Sequence, residues 1–166
     1  MKLYILTLSL IIITGCASTQ YQAKNYNGGF SETHLSKDIY RVNFYGNTYT
    51  TPEQAADFSL LRCADLAIEN GFQYFQIINE KAESKSDSFY IPPTTYNYSS
   101  GYSYTTGGFS GNSSSPISTF TIKFTNDADL KSTFDALFIT RSIESKYADD
   151  KAFTKARISL GKLSRR

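Results

Sequence analysis

TPEQAADFSLLRCADLAIENG, residues 51–71, decides the fold, because its caps and its periodicity together specify one long helix. Thr51 is an N-cap, Pro52 stands at the first helical position where its missing N–H costs nothing, and Gln54 completes a capping box. The helix should run over 52–70 and stop at Gly71, which can take the left-handed conformation of a C-terminal cap. Ala56, Leu60, Cys63, Ala64 and Ala67 recur at intervals of three and four, with Leu61 and Ile68 widening the stripe. These side chains are mostly small, so the helix axis can approach a sheet closely. Cys63 then reads as a buried apolar filler, since no neighbouring Lys or His would activate a thiol. Arg62, Asp65 and Glu69 fall at spacings that favour exposed ion pairs, each worth only tenths of a kcal/mol at a surface.

The strands lie on either side of this helix. Residues 30–35 and 39–45 are β-prone runs joined by Ser36-Lys37-Asp38, which predicts a hairpin. Tyr40, Val42 and Phe44 share its buried face, while Arg41, Asn43 and Tyr45 share the other. After Gly71, residues 72–79 form a strand carrying Phe75, Ile77 and Ile78, and two such strands lying parallel in one sheet would make a right-handed crossover. Further on, Phe120, Ile122 and Phe124 alternate with Thr119, Thr121 and Lys123 in a half-buried strand over 118–125. Residues 135–147 predict a second helix, and Asp149-Asp150 caps a short last one reaching Leu160. The expectation is an α+β two-layer sandwich: a mixed sheet of about four strands, in the order hairpin, helix, strand, long loop, strand, covered by one main helix and followed by a helical C-terminal segment. One domain over 28–147 would contain it.

Residues 84–116 change character. Ser, Thr, Gly and Tyr recur, three of the four prolines lie here, and charge nearly vanishes, which predicts a long loop. Tyr combines rigid contact area with a hydrogen-bonding tip and Ser adapts its hydrogen bonds, so Tyr96, Tyr98, Tyr102 and Tyr104 are candidate partner-binding residues for a protein or glycan. The alternative is a flat hairpin with Ser99-Ser100-Gly101 as its turn.

At the N-terminus Lys2 precedes the uncharged run 3–13, whose 11 residues are too few to span a bilayer and suit an export signal over residues 1–15. Ile13-Thr14-Gly15-Cys16 resembles the lipobox of bacterial lipoproteins, with Ile where Leu is usual. That resemblance implies that Cys16 is joined to diacylglycerol, carries palmitate or similar chains, and begins the mature protein. Two or three acyl chains at about 0.8 kcal/mol per buried methylene make such anchoring permanent. Asp after the cysteine retains lipoproteins in the inner membrane of Gram-negative bacteria, so Ala17 implies the outer membrane, with the domain facing the periplasm. Residues 16–27 then form a polar tether. Residues 148–166 form a basic tail, with six basic side chains and no acid from Lys151 onward. It reads as solvated, or as an added contact to an anionic membrane.

Composition narrows the chemistry. A net charge of +2 is too small to imply nucleic acid, and a single His argues against a histidine-based metal site or a catalytic triad, since both need several partners converging. With Cys16 acylated, Cys63 has no disulfide partner. Glu32 and His34 share a face of the first strand but lack a third ligand, and Asn126-Asp127-Ala128-Asp129 lacks the Gly and Glu of a calcium loop. No cofactor, metal or enzymatic activity is expected. Gly-Gly-Phe-Ser-Glu at 28–32, Tyr40-Arg41-Val42 with Phe44 and Gly46-Asn47, the helix opened by Thr51-Pro52-Glu53, Gly71-Phe72, Tyr74-Phe75 and Phe134-Asp135-Ala136 resemble an uncharacterised family of small proteobacterial lipoproteins. The resemblance covers most of the folded part, excludes 148–166, supports an envelope lipoprotein and transfers no site. The expected role is structural or adaptor-like.

Overall fold

The computed structural model describes residues 17–97, 103–128 and 132–162. β1 (Gly29–Ser36) and β2 (Ile39–Tyr45) form the expected hairpin, with Lys37 and Asp38 at its turn. α1 (Pro52–Glu69) follows, its Thr51 Oγ1 accepting from the Gln54 N–H at 3.1 Å, and Gly71 takes a φ of 78° just beyond the Asn70 cap. Gln54 turns its side-chain amide to Ser18 Oγ at 3.2 Å, so the second half of the expected box instead fixes the N-terminal segment. Next come β3 (Tyr74–Ile91), β4 (Thr94–Asn97), β5 (Ser103–Thr106), β6 (Phe109–Thr125) and β7 (Thr133–Asp135). α2 (Ala136–Lys146) and α3 (Lys151–Ser159) close the chain, N-capped by Asp135 and Asp150 as the sequence predicts.

The main sheet has five strands in the order β1-β2-β6-β3-β7, every neighbouring pair antiparallel, where a mixed sheet of four was expected. β2 and β3 do run in the same direction, but β6 lies between them and opposes both, so no parallel ladder forms. β7 has three residues, too few for a periodicity signal. Ile78 sits at a register shift between Ile77 and Asn79, and this bulge turns it out to solvent.

One main helix over the sheet is also too simple. Val42, Phe75, Phe120, Ile122 and Phe124 pack against Cys63, Ala64, Leu66 and Ala67, the stripe of small residues. A second cluster joins Ala55, Phe58 and Leu61 of α1 to Tyr21, Phe30, Phe44, Ile143 and Phe153. Phe58 lies at its centre, with ring centroids of Phe44, Phe153, Tyr147 and Tyr21 at 5.3, 5.4, 5.0 and 5.6 Å. α1 therefore meets the sheet along one stripe and α2 and α3 along another. Truncating so enclosed a ring to Ala costs roughly 3–5 kcal/mol.

Both expected tails belong to this second cluster. Residues 17–27 are not a free tether: Thr19 and Tyr21 are buried, the Thr19 N–H donates to Thr50 Oγ1 at 2.9 Å, and Ala23 bridges Phe30. Gly28, at a φ of 95°, makes the return possible, because a Cβ there would lie 2.2 Å from the Tyr45 carbonyl oxygen. At the other end, α3 buries Phe153 and Arg157, so the segment beginning at 148 is not a solvated tail. The domain spans Ala17 to Lys162 among the described residues rather than 28–147.

Candidate functional site

Among its described residues the stretch 84–116 is mostly strand, not loop. β3 and β6 continue as a two-stranded ribbon from Ser84 opposite Pro116 to Ile91 opposite Phe109, past the end of β2 at Tyr45. At about 3.4 Å per residue those eight pairs carry it roughly 27 Å outward. Pro92 and Pro93 then face Gly107 and Gly108, whose φ values of 91° and 74° turn the chain where no ladder can form. Beyond them β4 and β5 make a separate two-stranded sheet, with Thr95 and Thr105 hydroxyls 2.8 Å apart.

The antiparallel pairing of β4 with β5 agrees with the hairpin considered as the alternative, whose turn lies outside the described residues. Tyr96 and Tyr104 occupy opposed positions on β4 and β5, and Tyr96 is 53% exposed. Tyr98, Tyr102 and the turn residues Ser99, Ser100 and Gly101 lie outside the described residues. Sequence reasoning missed the apolar cluster lower on the ribbon. Phe89, Ile91 and Phe109 share one face, with Phe89 and Phe109 rings 5.7 Å apart and all three about half exposed. Gly111 opposes Phe89, and a Cβ there would meet its ring at 2.6 Å, so the aromatic covers bare backbone. Alternation of Phe89 and Ile91 about Tyr90 was the available signal.

Toward the sheet, the same face bears Asn79, Lys81, Glu83, Lys85 and Asp87. Lys81 pairs with Glu83 at 2.6 Å and Lys85 with Asp87 at 3.3 Å. Arg41, Thr119 and Thr121 join the first of these around an open polar hollow of about 310 Å³. Lys24, Tyr26 and Tyr45 join Lys85 and Asp87 around another of about 350 Å³, and Lys24 Nζ lies 3.4 Å from the Tyr45 ring centroid.

The buried charges lie elsewhere. Asp65, expected at the surface, is enclosed, accepting from Tyr21 Oη at 2.7 Å and pairing with the Arg157 guanidinium. Arg157 also donates to Glu144 Oε1 from Nε at 2.9 Å and from Nη2 at 2.6 Å. The Phe58, Leu61, Asp65 spacing puts this carboxylate on the stripe that α3 covers. Burial, then the charge of Asp65, holds the Tyr21 phenol well above its ordinary pKa. Burial opposes protonation of Arg157, but its hydrogen bond and charge pairing with Asp65 prevail and raise its pKa. Four segments, the N-terminal stretch 17–27, α1, α2 and α3, meet in this one clasp.

Arg62 instead bridges Glu32 and Glu69, both at 2.9 Å. Glu32 therefore reaches toward α1 while staying exposed, and His34 stacks on Tyr40 with centroids 4.3 Å apart. Asn126 Oδ1 accepts from the Gln73 N–H at 3.1 Å, tying the end of β6 to the chain entering β3; Asp129 lies outside the described residues. Among the described residues no group of three or more His, Cys, Asp or Glu is placed to hold a metal ion. Cys63 is fully buried, and burial pushes its thiol pKa up, as the filler reading requires. No helix among the described residues is long and apolar enough to cross a membrane. Cys16 lies outside the described residues.

Compared with described protein families, with curated proteins and with solved structures, the chain matches none.

Proposed function

We propose that this protein is a lipid-anchored lipoprotein of the bacterial outer membrane, akin to the small proteobacterial lipoproteins it resembles, whose periplasm-facing domain is structural or adaptor-like. Ile13-Thr14-Gly15-Cys16 after the uncharged run 3–13 carries the reading. The fold supports it from the other side. The Ala17 carbonyl, one residue past the proposed lipidation site, accepts from Asn47 Nδ2 at 2.8 Å, so an acylated Cys16 would hold the domain close against the bilayer. Radiolabelled palmitate should enter the wild-type chain and be lost with Cys16→Ser, whose precursor should accumulate uncut. Normal cleavage and labelling of Cys16→Ser would refute the anchor.

A second reading makes the ribbon a grip on an envelope protein or glycan. Its support is the exposed Phe89, Ile91 and Phe109 cluster beside Tyr90 and Tyr96. Replacing 87–113 by Asn-Gly would join Ser86 to its opposed Ser114 in a two-residue turn and leave the domain intact. Crosslinks formed by the wild-type chain in the envelope should then vanish; unchanged crosslinks would refute this reading.

A further inference from the structure

β3 is paired on both sides only from Tyr74 to Gln76, where β7 lies against it. From Ile77 to Ile91 its outer edge has no strand neighbour among the described residues. Such an edge presents unpaired N–H and C=O groups, and proteins blunt it with charged side chains, prolines, bulges or a short length. Here the bulge at Ile78 lies at one end, the edge is long and lacks proline up to Ile91, and its charges alternate in sign, Lys81, Glu83, Lys85 and Asp87, on one face, so a second copy can match them.

We infer that β3 pairs antiparallel with β3 of a second copy about a twofold axis at Ser84, joining two ribbons into a four-stranded sheet. The register follows from the charges. Centring on Ser84 sets Lys81 opposite the second copy's Asp87 and Glu83 opposite its Lys85, and the symmetry repeats both pairs in reverse. All four side chains are at least half exposed, so they are free to exchange their present neighbours for partners across the axis. Centring on Lys85 would instead put Glu83 against Asp87 and Lys85 against itself. Two further observations agree. Ser84 is the midpoint of the free edge 77–91, so this register uses all of it and stops where β7 begins. The opposite face at the axis carries only Ala82, Ser84, Ser86 and Ser88, which leave room for a second backbone. The free edge of β6, residues 109–115, has no charge to fix a register.

The test uses the full chain in mild detergent. With Ser84→Cys, oxidation should give a disulfide-linked dimer, because opposed Cβ atoms in an antiparallel pair lie about 4.5–5.5 Å apart. Mixing Glu83→Cys with Lys85→Cys chains should crosslink the two, whereas Glu83→Cys alone should not. Reversing Lys81 and Lys85 to Glu should weaken association by roughly tenfold or more, and reversing Glu83 and Asp87 to Lys as well should restore it. These positions are exposed, and circular dichroism should report an unchanged fold. Failure of the four-way reversal to restore the dimer, crosslinking best at another pair, a different protein captured at position 84, or a monomer at roughly 100 µM by sedimentation would each overturn the inference.

Discussion

Arg157→Met should be the most destabilising charge-removing change in the domain. It conserves most of the side-chain volume but leaves the Asp65 carboxylate, 3% exposed at its side chain, with only the Tyr21 hydroxyl. Removing one partner of a buried ion pair costs about 3–5 kcal/mol, because the remaining charge keeps its desolvation penalty. Domains of this size are stable by about 5–15 kcal/mol, so the variant loses a large share of the total. With a urea slope near 2 kcal/mol per molar, the midpoint should fall by about 1.5–2.5 M. Replacing all three members, Tyr21→Phe, Asp65→Leu and Arg157→Met, should recover most of the loss, since Glu144 reaches solvent and can rehydrate. A loss under about 1 kcal/mol for Arg157→Met, or a triple variant as weak as the single one, would refute the account of the clasp.

Alkaline pH should destabilise the fold. Cys63 and Tyr21 have folded-state pKa values above their ordinary 9.0 and 10.0, so their contributions are full below those values and fade as pH rises toward the folded ones. Urea midpoints should therefore drop beyond pH 9, by up to about 1.4 kcal/mol per pH unit for each group, and Cys63→Ala should flatten the first part. Native Cys63 should react with a thiol reagent only as fast as the domain opens and immediately in denaturant; rapid native labelling would contradict its burial. Gly28→Ala should lower stability by at least about 1–3 kcal/mol, measured by thermal melting, because it combines a left-handed backbone with a clash against a carbonyl.

Much of the fold was legible wherever one face is buried and the other is not. Thr51, the Cys63, Ala64 and Ala67 stripe of α1, and the alternations at Tyr40 to Phe44 and Phe120 to Phe124 stand at the predicted positions, whereas Ile68, expected to widen that stripe, is exposed beyond its end. The ribbon escaped because both its faces are largely solvent-exposed, so the alternation of Lys85, Asp87, Phe89 and Ile91 separates no buried face from a polar one. Asp65 escaped for a different reason. A charged residue at a helical position reads as surface unless its partner is known, and Arg157 lies 92 positions away. The polar run 17–27 hid Tyr21, whose ring is buried and whose hydroxyl is satisfied by that same carboxylate. Of the candidate partner-binding residues, Tyr96 is exposed on the tip as expected, but the apolar part of the ribbon lies lower.

The clasp also sets an order of events. Asp65 finds one partner 44 positions earlier and the other 92 positions later, so a nascent polypeptide ending anywhere before Arg157 leaves that acid without its cation. The interior around it therefore cannot seal until α3 has been made, however early the sheet assembles.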